Sequence, residues 1–188
     1  DVYKRQPVDN FWAAIEPTEL NGAVRTALDG RATKVHRLQD GWTELIEGAA
    51  RQLAVFTPDQ SAGNLNDRSV VVLAQDHANR ALLTGDLGED GLEQLVASEK
   101  GARANLLKMP HHGSRQSAPE RYLDRCRPDA AFVSAGRDNP YRFPHRQTIE
   151  LCDERNVPLY RTDRDGTLAF SASPHGWQLT TGMRVLWR

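Results

Sequence analysis

Cysteine is scarce in this sequence, with only Cys126 and Cys152 among 188 residues. The two do not form a Cys-x-x-Cys pair, so the sequence excludes a disulfide framework and offers no zinc-thiolate site. An isolated cysteine usually behaves as a small apolar side chain. We therefore expect both cysteines to be half-buried residues on helices.

Neither sign of charge is in excess, and long apolar runs are missing. The formal net charge is -1 at pH 7, with 24 Lys and Arg against 25 Asp and Glu. A dedicated duplex-binding module carries a strong basic field, so this balance excludes that class and leaves only a local contact with nucleic acid. The longest apolar run, near residues 69–74, is far too short to span a bilayer. The composition predicts a soluble segment.

The beginning of the chain is unusual because the first residue is Asp1 and not Met. Residues 1–6 (DVYKRQ) fit no helix or strand that follows, and we expect them to be a non-native scar of cloning or assembly. On this interpretation the natural protein continues upstream. With 39% hydrophobic residues the chain can bury a sizeable core. Residues 7–188 are therefore predicted to form a single, partial domain.

Apolar periodicity predicts helices and strands along most of the chain. An early helix is predicted at residues 17–28, and the three strands after it are predicted to form an antiparallel meander. The second half alternates strands with helix-length connections, which is typical of a layered α/β sandwich. The predicted strands are residues 33–38, 43–46, 52–56, 69–74, 80–84, 105–109, 130–134, 159–162 and 167–171. Further predictions are helices at residues 87–98 and 146–155, a helix carrying Tyr122, Leu123 and Cys126, and a turn at residues 163–166.

Polar side chains follow three of the predicted strands, at the point where each strand ends. Asp86 follows a hairpin arm, His111 and His112 follow the next strand, and Asn139 and Tyr141 lie just beyond a third. In α/β folds, ligands and catalytic groups gather at such an edge. A carboxylate in a glycine turn can bridge two cations, and an imidazole supplies a neutral nitrogen that suits zinc or manganese. The pattern therefore indicates part of a metal site.

Each of these signals also has an ordinary structural interpretation. Thr-Gly-Asp after a strand is often a turn whose carboxylate caps the next helix. Four other histidines have no ligand spacing, and we interpret them as structural or exposed: His36, His77, His145 and His175. Basic residues near the same edge either bind phosphate through charge-assisted hydrogen bonds or form a solvated rim; they are Lys108, Arg115, Arg137 and Arg142.

Five short segments stand out when they are taken together in chain order. They are residues 66–73 (NDRSVVVL), 82–86 (LLTGD), 107–114 (LKMPHHGS), 134–141 (SAGRDNPY) and 161–166 (RTDRDG). The ordered set lies within residues 33–173 and is far more specific than any one segment. It resembles the metallo-β-lactamase-like domain of ComEC-type competence proteins, which internalise DNA in bacteria.

The resemblance implies an α/β fold, the αβ/βα sandwich, with the N-terminal portion missing from this chain. It also implies a two-metal phosphodiesterase or nuclease that hydrolyses DNA, with two divalent ions, zinc or manganese, in the complete parent domain. Asp86 resembles the metal-bridging aspartate, and the pair His111 and His112 resembles the motif that supplies a later histidine ligand. Either imidazole could be the ligand, and His111, the first after the strand, is slightly favoured. Positions that resemble supporting residues are Asn66, Ser69, Gly85, Gly113, Ser114, Asn139 and Tyr141.

The same resemblance implies where the parent protein acts. The parent would be an inner-membrane protein of a bacterium, with this soluble domain outside the cytoplasm. Its partners would be DNA, as single strand or duplex, and the membrane channel portion of the same protein. No cofactor other than the metal ions is expected.

Two departures from the family pattern leave other functions open. The family's first metal motif, His-x-His-x-Asp-His, is absent, so the chain alone is expected to be inactive. The family commonly has Tyr-Gly-His-Pro where residues 141–144 are YRFP, and the phenyl ring of Phe143 can neither bind a metal nor transfer a proton. One alternative is a catalytically degenerate sandwich that contacts DNA or serves a structural role. Another is a metallo-hydrolase of a small ester or phosphodiester, because a fold does not fix a substrate.

Overall fold

A computed structural model of the chain describes residues 8–29, 33–48, 50–61 and 64–182. The chain divides into two compact units, Asp1–Asp40 and Gly41–Arg188. The expected non-native residues 1–6 lie outside the described residues, so their origin stays a prediction. The assignment of residues 7–188 to a single partial domain also stays a prediction.

The first unit contains a pair of short parallel strands, β1 (Asn10–Ala13) and β2 (Lys34–Arg37). The strand predicted at residues 33–38 is confirmed, but its place in an antiparallel meander is wrong. Its partner is β1, which the sequence did not predict, and the register sets Trp12 opposite His36. These two rings stack with their centroids 4.9 Å apart. His36 is therefore structural, as expected.

The connection between β1 and β2 contains two helical segments where one helix was predicted. Residues 17–28 divide into a 3-10 helix, Pro17–Glu19, and the helix α1, Gly22–Asp29. Asn21 lies at the break, and its Oδ1 accepts a hydrogen bond from the backbone N–H of Ala23 over 2.9 Å. A capping side chain in the middle of an apolar period therefore starts a new helix.

The second unit contains a seven-stranded mixed sheet, whose strands are ordered β3 to β9 as in the chain. Strands β3 to β6 pair antiparallel, whereas β6 to β9 pair parallel. The coarse prediction of a mixed α/β fold is confirmed, and the metallo-β-lactamase-like sandwich stays an expectation. The strands are β3 (Gly41–Ile46), β4 (Arg51–Thr57), β5 (Val71–Asp76), β6 (Asn79–Leu83), β7 (Leu106–Lys108), β8 (Ala130–Val133) and β9 (Leu159–Arg161).

Helices connect the parallel strands because a tight turn cannot join parallel neighbours. The connections contain α2 (Glu89–Ala97), α3 (Pro119–Cys126) and α4 (Arg146–Glu154). The turn predicted at residues 163–166 is instead the one-turn helix α5 (Thr162–Asp165). Among the described residues, every helix is too short or too polar to cross a bilayer.

Two layers of side chains cover the sheet. The main core joins alternate strand residues to α2, α3 and α4; it includes Leu73, Leu82, Leu107, Val133, Leu92, Leu95, Tyr122 and Cys152. A hairpin of β10 (Leu168–Ser173) and β11 (Gly176–Thr181) contributes Phe170. That ring packs on Phe132 of β8 with centroids 5.2 Å apart. Phe132 alternates with buried neighbours along β8, so it lies on the face opposite the main core.

Both cysteines are fully buried in the main core, Cys126 on α3 and Cys152 on α4. The expectation that they are half-buried is therefore wrong, although their placement on helices is confirmed. Burial penalises the charged thiolate, and it raises the pKa of Cys126 to about 12 and that of Cys152 to about 11. Neither thiol is ionised at neutral pH in the folded protein.

We expect the free energy of unfolding to fall as the pH rises above about 8.5, where thiols of the unfolded chain ionise. A raised folded-state pKa contributes stability that is fully present below the unfolded pKa and is lost as the pH approaches the folded value. For Cys126 the loss is at most about 1.4 kcal/mol per pH unit. Urea denaturation at a series of alkaline pH values measures this slope. Cys126→Ala should make the slope shallower, and an unchanged slope would contradict this explanation.

Candidate functional site

The candidate site lies at the edge of the sheet where β6, β7 and β8 end. These strands run parallel, and Leu83 and Lys108 are register partners at the ends of β6 and β7. Residues that follow those ends therefore lie side by side. The sequence predicted this arrangement for Asp86 and the two histidines.

A tight turn after β6 carries Asp86. The buried hydroxyl of Thr84 donates a hydrogen bond to the carbonyl oxygen of Lys108 over 2.8 Å, which attaches the turn to the end of β7. Gly85 has a φ of +57°, and a Cβ at that position would lie 3.3 Å from the Cβ of Ser69. Glycine therefore allows the turn to approach Ser69 closely in a left-handed conformation.

The imidazole of His112 faces Asp86, with its Nε2 3.9 Å from Asp86 Oδ1. Its Nδ1 lies 2.6 Å from the carbonyl oxygen of Ser134 at the end of β8. Because a carbonyl oxygen only accepts, Nδ1 carries a proton, and in the neutral ring Nε2 presents its lone pair to the carboxylate. The side chains of His112 and Asp86 are 44% and 42% exposed. A lone pair that faces a carboxylate is repelled, and either a proton on Nε2 or a shared cation would remove that repulsion.

His111 contacts a different neighbour. Its Nδ1 lies 3.4 Å from the amide Nδ2 of Asn66, and because an amide nitrogen only donates, Nδ1 of His111 accepts. In the neutral ring the proton is then on Nε2. His111 and His112 have φ values of +46° and +55°, which is uncommon for residues other than glycine. This backbone directs two adjacent rings to different partners.

A cleft of about 380 Å³ lies beside Asp86 and His111. Its polar lining consists of Asn64, Asn66, Asp67, Asp86, Gly88, Glu89, Asp90, His111, Gln116 and Ser117. A larger cavity of about 730 Å³ lies at the opposite ends of the same strands, beside Asn79 and Asn105. The lining of that cavity includes none of the predicted site residues, so its size does not make it the better candidate for the predicted chemistry.

Asp86 and His112 face each other at this edge as a pair of ligand-capable side chains. Among the described residues, no group of three or more His, Cys, Asp or Glu side chains is arranged to hold a metal ion. Oxygen from Asp86 and nitrogen from His112 suit zinc or manganese. Since structural zinc sites use four ligands and catalytic ones at least three from protein, this pair is an incomplete donor set.

Phe143 and the loop that carries it lie against both histidines. Its ring centroid is 5.6 Å from that of His111 and 6.0 Å from that of His112. Asn139 holds the loop: its Nδ2 donates to the carbonyl of Phe143 over 2.8 Å, and the Phe143 N–H donates to Asn139 Oδ1 over 2.8 Å. Tyr141 is stacked on Phe143 and is exposed. Asn139 thus fixes the loop, and its role as a supporting residue of a metal site stays a prediction.

His145 has a structural role at the start of α4. It is the N-cap residue of α4, and its Nδ1 accepts a hydrogen bond from the backbone N–H of Arg115 over 3.0 Å. His77 pairs with Asp76 at a Nδ1 to Oδ1 distance of 2.7 Å. His77 and His175 are both exposed. None of these histidines lines the cleft beside Asp86.

Two other supporting positions have clear structural roles. Ser114 is buried, and its hydroxyl oxygen accepts a hydrogen bond from the Gln116 N–H over 3.2 Å. Gly113 has a φ of +78°, and a Cβ there would lie 2.7 Å from the Cβ of Pro144. The segment after the histidines is therefore packed too closely against the loop at residue 144 for a larger residue.

Lys108 is not the free phosphate ligand that was considered from the sequence. Its Nζ donates to the carbonyl oxygen of Gly85 over 2.9 Å, beneath the Asp86 turn. Burial lowers the pKa of Lys108, and the nearby charge of Asp86 partly opposes that effect. This partly buried cation is held by backbone carbonyls and fixes the turn. The other three basic residues, Arg115, Arg137 and Arg142, are exposed.

Asp67 is a site residue that the sequence did not reveal, because its segment reads as an ordinary polar turn. It is only 3% exposed and lines the cleft. Its carboxylate accepts a hydrogen bond from the backbone N–H of Asn64 over 3.1 Å and lies 3.5 Å from that of Gly91. A Cβ at Gly88 would lie 2.3 Å from Asp67 Oδ1. The available signal in the sequence was the pair Gly88 and Gly91 at the start of α2, because glycines there let another segment approach closely.

The fold and this edge define the chain as a mixed α/β protein with a histidine and carboxylate pair at the ends of parallel strands. No protein-family profile matches the chain. It is 30% identical over 120 residues to "ComE operon protein 3" of Bacillus subtilis, and 44% identical over 85 residues to "Recombination protein 2" of Haemophilus influenzae. It is also 31% identical over 118 residues to "Uncharacterized protein YcaI" of Escherichia coli.

These matches cover a large part of this chain but a small part of each relative. They span 63%, 45% and 62% of the chain, and 16%, 10% and 16% of the respective relatives. The similarity supports the expectation of a ComE-type protein. The metallo-β-lactamase-like fold is not tested by it and stays a prediction.

Proposed function

We propose that this chain is part of a longer ComE-type protein of DNA uptake, in which it contributes to a metal-dependent hydrolase of DNA phosphodiesters. The name of the Bacillus relative and the small share of each relative that the chain covers support this proposal. The complete domain would have the metallo-β-lactamase-like sandwich. It would lie outside the cytoplasm beside the membrane channel portion of the same protein.

The observation that carries the catalytic part is the position of His112 relative to Asp86. Ligating histidines commonly donate their other ring N–H to a carbonyl or carboxylate, which fixes the tautomer. His112 has that arrangement: Nδ1 donates to the Ser134 carbonyl, and Nε2 faces the Asp86 carboxylate at 3.9 Å. His111 uses Nδ1 to accept from Asn66, so we favour His112 as the ligand and not His111.

The donor set fits zinc or manganese, with Asp86 and His112 as the residues of this chain that would hold the ions. When bound, two such ions lower the pKa of a water molecule and stabilise the charge on phosphate oxygens. The chain's own residues position that chemistry. Lys108 and Thr84 hold the Asp86 turn against β7, and Ser134 orients His112. The remaining ligands would come from the segment expected upstream.

We expect His112→Ala in the longer protein to weaken zinc or manganese binding on the order of 100-fold, because it removes a ligand. His111→Ala should weaken binding less than about 10-fold, since His111 acts next to the ligands. Isothermal titration with the metal ion measures both affinities. The two variants form a matched pair, because the residues are adjacent and share the same backbone conformation. A larger loss in His111→Ala would contradict this assignment.

Activity on DNA is tested with the longer protein, with and without chelator. Degradation of DNA that stops with chelator and resumes with added metal supports the hydrolase. DNA binding with no degradation and no metal uptake would instead favour the catalytically degenerate domain, a function consistent with Phe143 packing on both imidazoles. Hydrolysis of a small ester or cyclic phosphodiester without hydrolysis of DNA would show that the substrate is a small molecule and not DNA.

A further inference from the structure

Three rings lie in a row at the edge that carries Asp86: Tyr141, Phe143 and His112. We call them the edge stack. The Tyr141 and Phe143 centroids are 5.6 Å apart with ring planes 18° apart. Those of Phe143 and His112 are 6.0 Å apart with planes 26° apart. The inner end of the edge stack is therefore the imidazole that faces the Asp86 carboxylate.

The outer end of the edge stack is open to solvent. Tyr141 is 70% exposed, which is unusual for an aromatic side chain whose burial would be favourable. Asn139 fixes the loop through its hydrogen bonds to Gly136 and Phe143. The loop backbone that carries the exposed ring is thus held in place, so a flat ligand can bind the ring without first ordering the loop.

Positive charge accompanies this ring on the same loop. Arg137 and Arg142 are both exposed, whereas the net charge of the whole chain is only -1. Guanidinium groups pair with phosphate oxygens. An exposed aromatic ring beside cations is the composition of surfaces that bind single-stranded nucleic acid by base stacking.

We propose that Tyr141 is a stacking platform for an unpaired nucleobase of the DNA that the proposed function assigns to this edge. This inference rests on the proposed function for the identity of the reacting group, a phosphodiester. The base bound on Tyr141 would place the following backbone along the edge stack towards Asp86 and His112. Tyr141 is then a positioning residue that determines specificity. The proposed hydrolysis would take place at Asp86 and His112.

The geometry favours an unpaired base because its faces are accessible anywhere along a strand, whereas a duplex exposes a base face only at its ends. Within a duplex, both faces of a base are covered by its neighbours, and it can stack on a protein ring only after it leaves the helix. A strand end, a flap or a separated strand has that freedom already. Stacking is also tolerant of sequence, since every base has a π face.

The test is binding of labelled oligonucleotides to this chain, measured by fluorescence anisotropy in the presence of EDTA. The probes are an oligothymidylate of about ten nucleotides, a blunt duplex and an abasic strand of equal length. We expect the oligothymidylate to bind on the order of 10-fold more tightly than the abasic strand. Tyr141→Ala should remove that difference by weakening only the oligothymidylate, while Tyr141→Trp keeps it.

Arg142→Ala is the matched control, because it should weaken the oligothymidylate and the abasic strand by the same factor. Equal affinity of the normal chain for both strands, or an unchanged preference in Tyr141→Ala, would overturn the proposal. Tighter binding of the duplex than of the oligothymidylate would overturn it as well. This measurement is independent of the proposed function, because binding in EDTA requires no metal. Base stacking can therefore fail while metal-dependent hydrolysis persists. Hydrolysis can equally fail while base stacking persists.

Discussion

Replacing Asp86 by alanine in the longer protein is expected to lower kcat/KM for DNA on the order of 1000-fold or more, because the metal ions would lose a ligand and several kcal/mol of charge stabilisation. The expected reduction follows from the position of Asp86. It ends the turn that Thr84 and Lys108 attach to β7, and its carboxylate is the group that His112 faces. Nuclease assays at saturating zinc or manganese measure the change, and metal titration gives the accompanying loss of affinity.

Asp90→Ala is the matched control for that variant. Asp90 lines the same cleft and is exposed in the first turn of α2. Its removal changes the local charge by the same amount without removing a proposed ligand. Activity within about three-fold of normal is expected, because exposed charges interact weakly through water. If Asp86→Ala and Asp90→Ala lost activity equally, Asp86 would act through its negative charge alone and not as a metal ligand.

Gly113→Ala is expected to lower the free energy of unfolding by about 2 to 4 kcal/mol. Two causes combine. The φ of +78° costs energy for any residue with a Cβ, and that Cβ would lie 2.7 Å from Pro144 and 3.2 Å from Val133. Because Pro144 and Val133 are themselves buried, neither can easily move away. Urea denaturation followed by circular dichroism measures the loss.

Two other glycines separate these causes. Gly101 also has a positive φ, +59°, but a Cβ there would meet nothing within 4 Å. Gly101→Ala should therefore show only the conformational cost, about 1 kcal/mol. Gly136 lies outside the left-handed region and is likewise open, so Gly136→Ala should stay within about 0.5 kcal/mol of normal. A loss in Gly113→Ala no larger than in Gly101→Ala would show that packing at Pro144 contributes nothing.

The strand ends of the second unit could be predicted because their physics is local. Continuous apolar runs stop at Thr84-Gly85 and at Met109-Pro110, where a glycine or a proline ends the strand. Strands separated by helix-length connections pair in parallel, so their ends meet at one edge. Those two facts alone bring Asp86 near His111 and His112.

The finer arrangement could not be predicted because it depends on partners distant in sequence. Which histidine faces Asp86 is decided by the carbonyl of Ser134, just after β8, and by the side-chain amide of Asn66. Apolar periodicity contains no information about either partner. Lys108 looked like a surface cation, but the Gly85 carbonyl lies where its ammonium can reach it. In the first unit, β1 was missed because four residues are too few to show a period.

The imidazole of His112 depends on three consecutive parallel strands at once. β7 leads to it, β6 leads to the carboxylate that it faces, and the residue just after β8 supplies the carbonyl that fixes its proton. Slippage of β8 by one residue would therefore withdraw that acceptor and release the ring, even with every side chain at the edge unchanged. If this corner binds a metal ion as proposed, that binding depends on the register of β8, and a change of register should appear as a change in the tautomer of His112.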